Sequence, residues 1–225
     1  MAAVKSKEQL LAISYSKAAA FIECPLRCWY VYREKLIPFT GNQYTEEGTA
    51  AHKDLENYCR DGTPLTRLEY KSAADKIKNL DAGIKLYEVD MAINDKLEPV
   101  EYFAKDVWVR GGLDVLMIRG NKGFIGDWKT NKKKSDMKLE LRIFTLLAFQ
   151  KYPQLESITT TFIWLKLNEM TSVVYTRADL PDIVAELKSI YQQMDDSYVS
   201  GAWTPKPARY KCGWCAANEI CSFKE

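Results

Sequence analysis

Two aspartates and a lysine carry the spacing most suggestive of chemistry. Asp127 and Lys129 lie in Gly126-Asp127-Trp128-Lys129-Thr130, and Asp114 closes Gly111-Gly112-Leu113-Asp114. Between them, Gly120-Asn121 separates two apolar runs, the signature of a two-residue hairpin loop. With those residues as the loop, Asp114 and Asp127 take directly opposed positions, where Cβ atoms stand roughly 4.5–5.5 Å apart. Two ionised carboxylates that close repel each other, and Leu116, Ile118 and Ile125 leave their face apolar. A divalent cation is the natural occupant, since Mg²⁺ is held by one or two carboxylates with water and substrate phosphate completing its shell. Lys129, two residues beyond Asp127, shares the sheet face. The spacing thus predicts a metal, its water and a fixed ammonium at one point, which suits phosphodiester hydrolysis. Asp-x-Lys alone is a common triplet, and ordinary polar hairpin ends would look the same.

His52 is the one histidine in the chain. On a helix it shares a face with Glu56, and Cys59 follows one turn on. Gly48, Thr49, Ala50 and Ala51 before it are small enough for close approach to a neighbour. Taken alone, such a histidine is more often solvated than a ligand. Three of the six cysteines form Cys212-x₂-Cys215-x₅-Cys221 in an aperiodic tail. That concentration points to a bound group, with Cys24 or Cys28 supplying a fourth ligand. Zinc prefers paired Cys-x₂-Cys knuckles, and Cys24-x₃-Cys28 is an imperfect second one. A three-plus-one set fits a four-iron cluster at least as well. Cys59 reads as a core residue.

The elements that must position these groups follow from periodicity. A capped helix from Ser14-Tyr15-Ser16 runs toward Tyr32, with Pro25 interrupting or restarting it. A second helix runs from about Gly48 through Cys59, and Asp61-Gly62-Thr63-Pro64 ends it. Ala74, Ile77, Leu80, Ile84, Tyr87 and Met91 predict a third, amphipathic helix over 71–94. Strands are expected at Val100–Phe103, Val107–Ile118 and Gly123–Trp128, then a helix over Lys138–Tyr152. A hairpin of Ile158–Leu167 with Ser172–Thr176 turns around Asn168-Glu169, and a last helix begins near Pro181 and ends around Ser200-Gly201. This order is an α/β core with a helical front end.

With 225 residues, 47% of them hydrophobic, the chain can bury one real core. A net charge of only +2 confines any nucleic-acid footprint to a local patch. Lys129, Lys132, Lys133, Lys134 and Lys138 form such a patch beside the expected site, suited to phosphate contacts. Trp108, Tyr152, Trp203, Tyr210 and Trp214 are available to stack on bases, although most aromatics should be core. No segment has the length of a membrane span or a signal h-region, so an intracellular protein without membrane contact is expected, its cysteines reduced.

Together these pieces resemble the RecB-like branch of the PD-(D/E)XK nucleases, especially CRISPR-associated and phage exonucleases with a four-cysteine iron–sulfur cluster. The matching segments are Ser14-Tyr15-Ser16 through Glu23-Cys24-Pro25-Leu26-Arg27, Gly48 to Glu56, Gly111 to Asp114, Gly126 to Thr130, and the terminal cysteines, in family order. The resemblance implies a restriction-endonuclease-like core, a central mixed sheet flanked by helices, with a helical front (1–96), a catalytic core (97–200) and a cysteine tail (201–225) in one domain. It implies His52, Asp114 and Asp127 as ligands of Mg or Mn, with the Trp128 carbonyl contributing, and Lys129 as catalytic lysine. It also implies Cys24, Cys212, Cys215 and Cys221 around a [4Fe-4S] cluster, with zinc as the alternative. DNA is the implied substrate, as single strands or duplex ends, in recombination, repair or CRISPR adaptation, with protein partners or self-association open. The cytoplasm of a prokaryotic or phage-infected cell is the implied setting. A catalytically weak DNA-binding or adaptor subunit is the rival reading. One departure stands out: the family's Gln-x-x-x-Tyr helix reads Glu140-Leu141-Arg142-Ile143-Phe144 here. Glu140 is placed to approach the metal or the DNA backbone.

Overall fold

The structure, a computed structural model, describes residues 12–37, 43–131 and 138–225. In chain order the elements are α1 (Tyr15–Glu23), α2 (Pro25–Cys28) leading into a π-helical turn (Trp29–Arg33), α3 (Gln43–Asp61), α4 (Lys71–Lys78), β1 (Ile84–Asn94) and β2 (Pro99–Val100). Next come β3 (Val107–Arg119), β4 (Lys122–Lys129), α5 (Lys138–Lys151), β5 (Ser157–Trp164), β6 (Glu169–Thr176), α6 (Leu180–Ser200) and α7 (Arg209–Cys212). The chain divides into two compact units, residues 41–183 and residues 1–40 together with 184–225.

The first unit holds a six-stranded sheet ordered β2-β1-β3-β4-β5-β6. Only β4 and β5 run parallel, and α5 makes the crossover such a pair requires. The sheet is therefore mixed and flanked by helices, the restriction-endonuclease-like arrangement. The β3–β4 hairpin has the expected register: Val115 pairs with Gly126, and Arg119 with Lys122 closes the Gly120-Asn121 loop. Gly120 takes φ +57°, the backbone region that a loop with glycine first demands. On one side, Val115, Met117, Trp128 and Ile163 pack with Ala51, Leu55 and Cys59 of α3 and Ala74 and Ile77 of α4. Leu141, Ile143, Phe144, Leu146, Leu147 and Phe149 of α5 are all buried, so this helix shows no polar stripe along most of its length. Gly111 lets α5 close onto β3: a Cβ there would fall 3.3 Å from both Phe144 and Leu147.

The expected helix over 71–94 is corrected. It stops at Lys78, and Ile84–Asn94 is a strand paired with β3 from Ile84↔Ile118 to Asn94↔Val107. Ile84, Tyr87 and Met91 matched a helical period over too short a window, and Gly83 marked the break. Pairing to a long central strand then outweighed local preference. The strand expected at Val100–Phe103 also shrinks, to Pro99–Val100, because Tyr102 sits in a turn after Glu101 with the Arg110 guanidinium over its ring.

The second unit gathers both chain ends. Ser14 caps α1 by accepting the Lys17 amide at 3.4 Å, and Pro25 opens α2 at its first turn. Phe21 meets Trp203 edge-on, with ring centroids 6.2 Å apart, and the Arg33 guanidinium lies 4.3 Å from the Tyr198 ring centre. Leu187, Ile190 and Met194 form the buried stripe of α6. Among the described residues, no helix is long and apolar enough to cross a membrane.

Candidate metal-binding active site

The β3–β4 ladder ends at Val115–Gly126, one step short of Asp114 and Asp127. There the Asp114 carboxylate replaces the backbone ladder: its Oδ2 accepts the Trp128 amide at 2.7 Å. Its other oxygen stands 3.2 Å from His52 Nδ1, delivered by α3. Glu88 completes this group from β1, and the ligand atoms of His52, Glu88 and Asp114 all lie within 4.8 Å of one another. One imidazole nitrogen and two carboxylates at that separation fit a divalent ion that accepts mixed N and O donors.

Glu88 is the residue the sequence reading missed, because it fell inside the expected helix. Its backbone holds φ +52°, where a side chain other than glycine's is disfavoured. That strain sits at the position facing Asp114 between the pairs Tyr87↔Val115 and Val89↔Leu113. Only the β1 register could have shown it.

Asp127 lies one strand over and is 5% exposed. Lys129 Nζ is 2.7 Å from its Oδ2 and 3.0 Å from Glu140 Oε2, so β4 and α5 together build a buried carboxylate–ammonium–carboxylate chain. Lys129 shares the face of Asp127, as the strand period predicts. Glu140 touches Lys129, whereas Phe144 is packed against β3. Lys132, Lys133 and Lys134 lie outside the described residues.

The electrostatics are those of a site short of positive charge. Burial first, then the Asp114 charge, push the Asp127 carboxyl well above the usual range. Desolvation and Asp114 likewise raise Glu88. Burial works against charge on Lys129, but Asp127 and Glu140 overcome it and hold the ammonium above its ordinary range. For His52, burial is again opposed, here by the hydrogen bond and charge of Asp114 and by Asp127 and Glu88, and its pKa rises. A bound cation relieves every one of these carboxylate repulsions.

In the second unit, Cys24, Cys212, Cys215 and Cys221 line one cavity with Arg27, Lys206, Lys211 and Lys224. The Lys206 amide donates to Cys24 Sγ and the Ala208 amide to Cys212 Sγ, each at 3.4 Å. Cys28 is absent from this lining. It is fully buried, donates to the Lys17 carbonyl, and burial pushes its thiol up to about 12. Cys59 is likewise core, raised to about 11 by burial.

A six-stranded mixed sheet flanked by helices, carrying a histidine–carboxylate group of metal-ligand spacing beside Lys129, defines an α/β protein with a candidate cation site. The chain belongs to the PD-(D/E)XK nuclease superfamily, whose family model matches residues 12–222. Among solved structures it is similar to the crystal structure of SSO0001, at 17% identity and a TM-score of 0.51, over 98% of this chain and 89% of that one. It is also similar to a Eubacterium rectale protein provisionally described as an exonuclease, at 10% identity and a TM-score of 0.54, over 94% and 89% respectively. At these identities the likeness is one of fold. Comparison with curated proteins found no match.

Proposed function

We propose that the protein is a Mg- or Mn-dependent deoxyribonuclease of the RecB-like branch, acting exonucleolytically on single-stranded DNA or duplex ends. The observation that carries this is the convergence of His52, Glu88 and Asp114 beside the buried Asp127–Lys129 pair. The exonuclease description of the E. rectale neighbour agrees with it.

In this reading His52, Asp114 and Asp127 hold the ion, with Glu88 added from β1 and the Trp128 carbonyl available next to Asp127. When bound, the ion supplies a water of lowered pKa and polarises a phosphoryl oxygen. Lys129 stays protonated, so it works as a fixed cation that orients the attacking water or offsets charge on the phosphate. Glu140 holds that ammonium in place from α5. The basic run Lys132, Lys133, Lys134 meets the phosphate backbone, with sequence-independent affinity. Recombination, repair and CRISPR adaptation are settings in which such an enzyme would have partners.

Cys24, Cys212, Cys215 and Cys221 hold a [4Fe-4S] cluster that ties the two chain ends. Their shared cavity supports this, as do the N–H···S contacts at Cys24 and Cys212. Zinc would draw four thiolates to about 3.8 Å apart, the separation set by tetrahedral Zn–S bonds. Zinc at the same four cysteines is the alternative occupant. Anaerobically purified protein should be brown with about four irons per chain; a colourless, zinc-loaded protein would overturn the assignment.

One observation favours the rival adaptor reading: both partners of Lys129 are carboxylates, where the family offers an amide. Digestion of end-labelled DNA with Mg²⁺ or Mn²⁺ decides between them. Wild type should shorten the label while Asp127→Ala and Lys129→Ala lose at least about 100-fold of the rate. Cleavage surviving both substitutions would sink the mechanism, and no cleavage by wild type would favour the adaptor.

A further inference from the structure

Of the five aromatics available for base stacking, two remain on the surface. Trp108 is buried in the core, and Trp203 is engaged edge-on with Phe21. Trp214 is 93% exposed and Tyr210 is 74% exposed. Tyr210 lies in α7 and Trp214 in the turn that follows it: Gly213 donates to the Arg209 carbonyl at 3.3 Å and Trp214 to that of Lys211 at 3.2 Å.

The backbone that carries Trp214 is braced by hydrogen bonds. Trp214 lies between Cys212 and Cys215, whose backbones are joined by a 3.1 Å hydrogen bond, and Asn218 donates to the Cys212 carbonyl at 2.7 Å. The Lys211 ammonium sits 5.8 Å from the Tyr210 ring centre. Lys206, Arg209, Lys211 and Lys224 give this segment a positive balance against Glu219 and Glu225. Lys211 also stands 3.9 Å from Glu23, and Arg209 is exposed.

We infer that Tyr210 and Trp214 form a stacking platform for unpaired nucleobases, a second contact for single-stranded nucleic acid separate from the metal-binding cluster. Exposed flat rings stand open to unpaired bases, and every base offers a π-face to them. The surrounding cations match the phosphates between stacked bases. A duplex, whose bases are already stacked, gains nothing from such a platform. The inference takes the nucleic-acid substrate from the proposed function, yet binding and cleavage can be read apart.

The test is anisotropy of a 5′-labelled oligo(dT) titrated with the full-length, cofactor-loaded protein in EDTA, so that no cleavage occurs. Trp214→Ala should weaken binding about tenfold and Tyr210→Ala by a smaller factor, as loss of stacked bases does. Trp214→Phe should restore most of the affinity. Blunt duplex binding should not change with any of the three. Wild-type affinity in Trp214→Ala, an equal fall for Trp214→Phe, or equal losses on duplex would overturn the platform. Absorbance of the cluster and thermal midpoint control for folding, which substitution of a 93% exposed side chain should leave unchanged. A protein that stacks oligo(dT) but cuts no DNA keeps the platform and fails the nuclease.

Discussion

Lys129 shows how surroundings assign a role to a residue. Its ammonium lies between Asp127 and Glu140, whose charges raise its pKa against burial and suit it to act as a fixed cation. Lys129→Met leaves both carboxylates without their cation and should cost about 3 kcal/mol of stability near neutral pH. Because the Asp127 carboxyl is already raised, it takes up a proton readily on acidification, so that cost should shrink as pH falls below neutral in urea titrations. Glu88 makes a separate claim. If it is a ligand, Glu88→Gln should weaken Mn²⁺ affinity by about tenfold or more in calorimetry; unchanged affinity would remove it from the shell. His52 gives the pH signature. Its raised pKa means the His52–Asp114 contact stabilises the metal-free protein at acid pH and loses that effect as pH rises through the folded pKa. Metal needs the neutral ring, so Mn²⁺ affinity should move the opposite way, falling as pH drops through the imidazole range.

At the scale of elements, the hairpin is the well-determined part. Its loop chemistry, alternation and register agree, and the side chains of Asp127 and Lys129 emerge on one face as expected. Gly126 shows how tightly β4 is seated. A Cβ there would lie 3.0 Å from Ile163 Cδ1 and 3.1 Å from the Phe124 ring. Gly126→Ala should therefore lower stability by about 1–3 kcal/mol, the usual range for overpacking. Adding Ile163→Val should recover part of it, measured by thermal unfolding; a neutral single variant would show the strand has slack. Strand β1 was illegible for a physical reason. Ile84, Tyr87 and Met91 satisfied a helical period by coincidence, and their strand partners lie 20 to 34 residues away, from Met91↔Gly111 to Ile84↔Ile118.

At the scale of the molecule, the terminal unit depends on groups brought together across the chain. Cys24 meets Cys212, Cys215 and Cys221 around one cavity, and Lys206 reaches back to the Ile22 carbonyl at 3.1 Å. If the proposed cluster holds the tail in place of a large core, Cys215→Ser should lose iron and lower solubility together. A soluble variant without iron but with full activity would contradict a structural cluster. The family resemblance already favoured Cys24 over Cys28, and the structure agrees in lining the cavity with Cys24 while Cys28 is buried in the core.

The sequence by itself determined the hairpin, its two aspartates and its lysine, since loop residues and a period of two are local properties. Its resemblance to a nuclease family tied that hairpin to a histidine on a helix and to the terminal cysteine set. Only the tertiary structure decided that Glu88 faces Asp114, that Glu140 grips Lys129, and that Trp214 stands in solvent. Each of these depends on strand register, helix packing or burial, quantities set by residues distant in the chain.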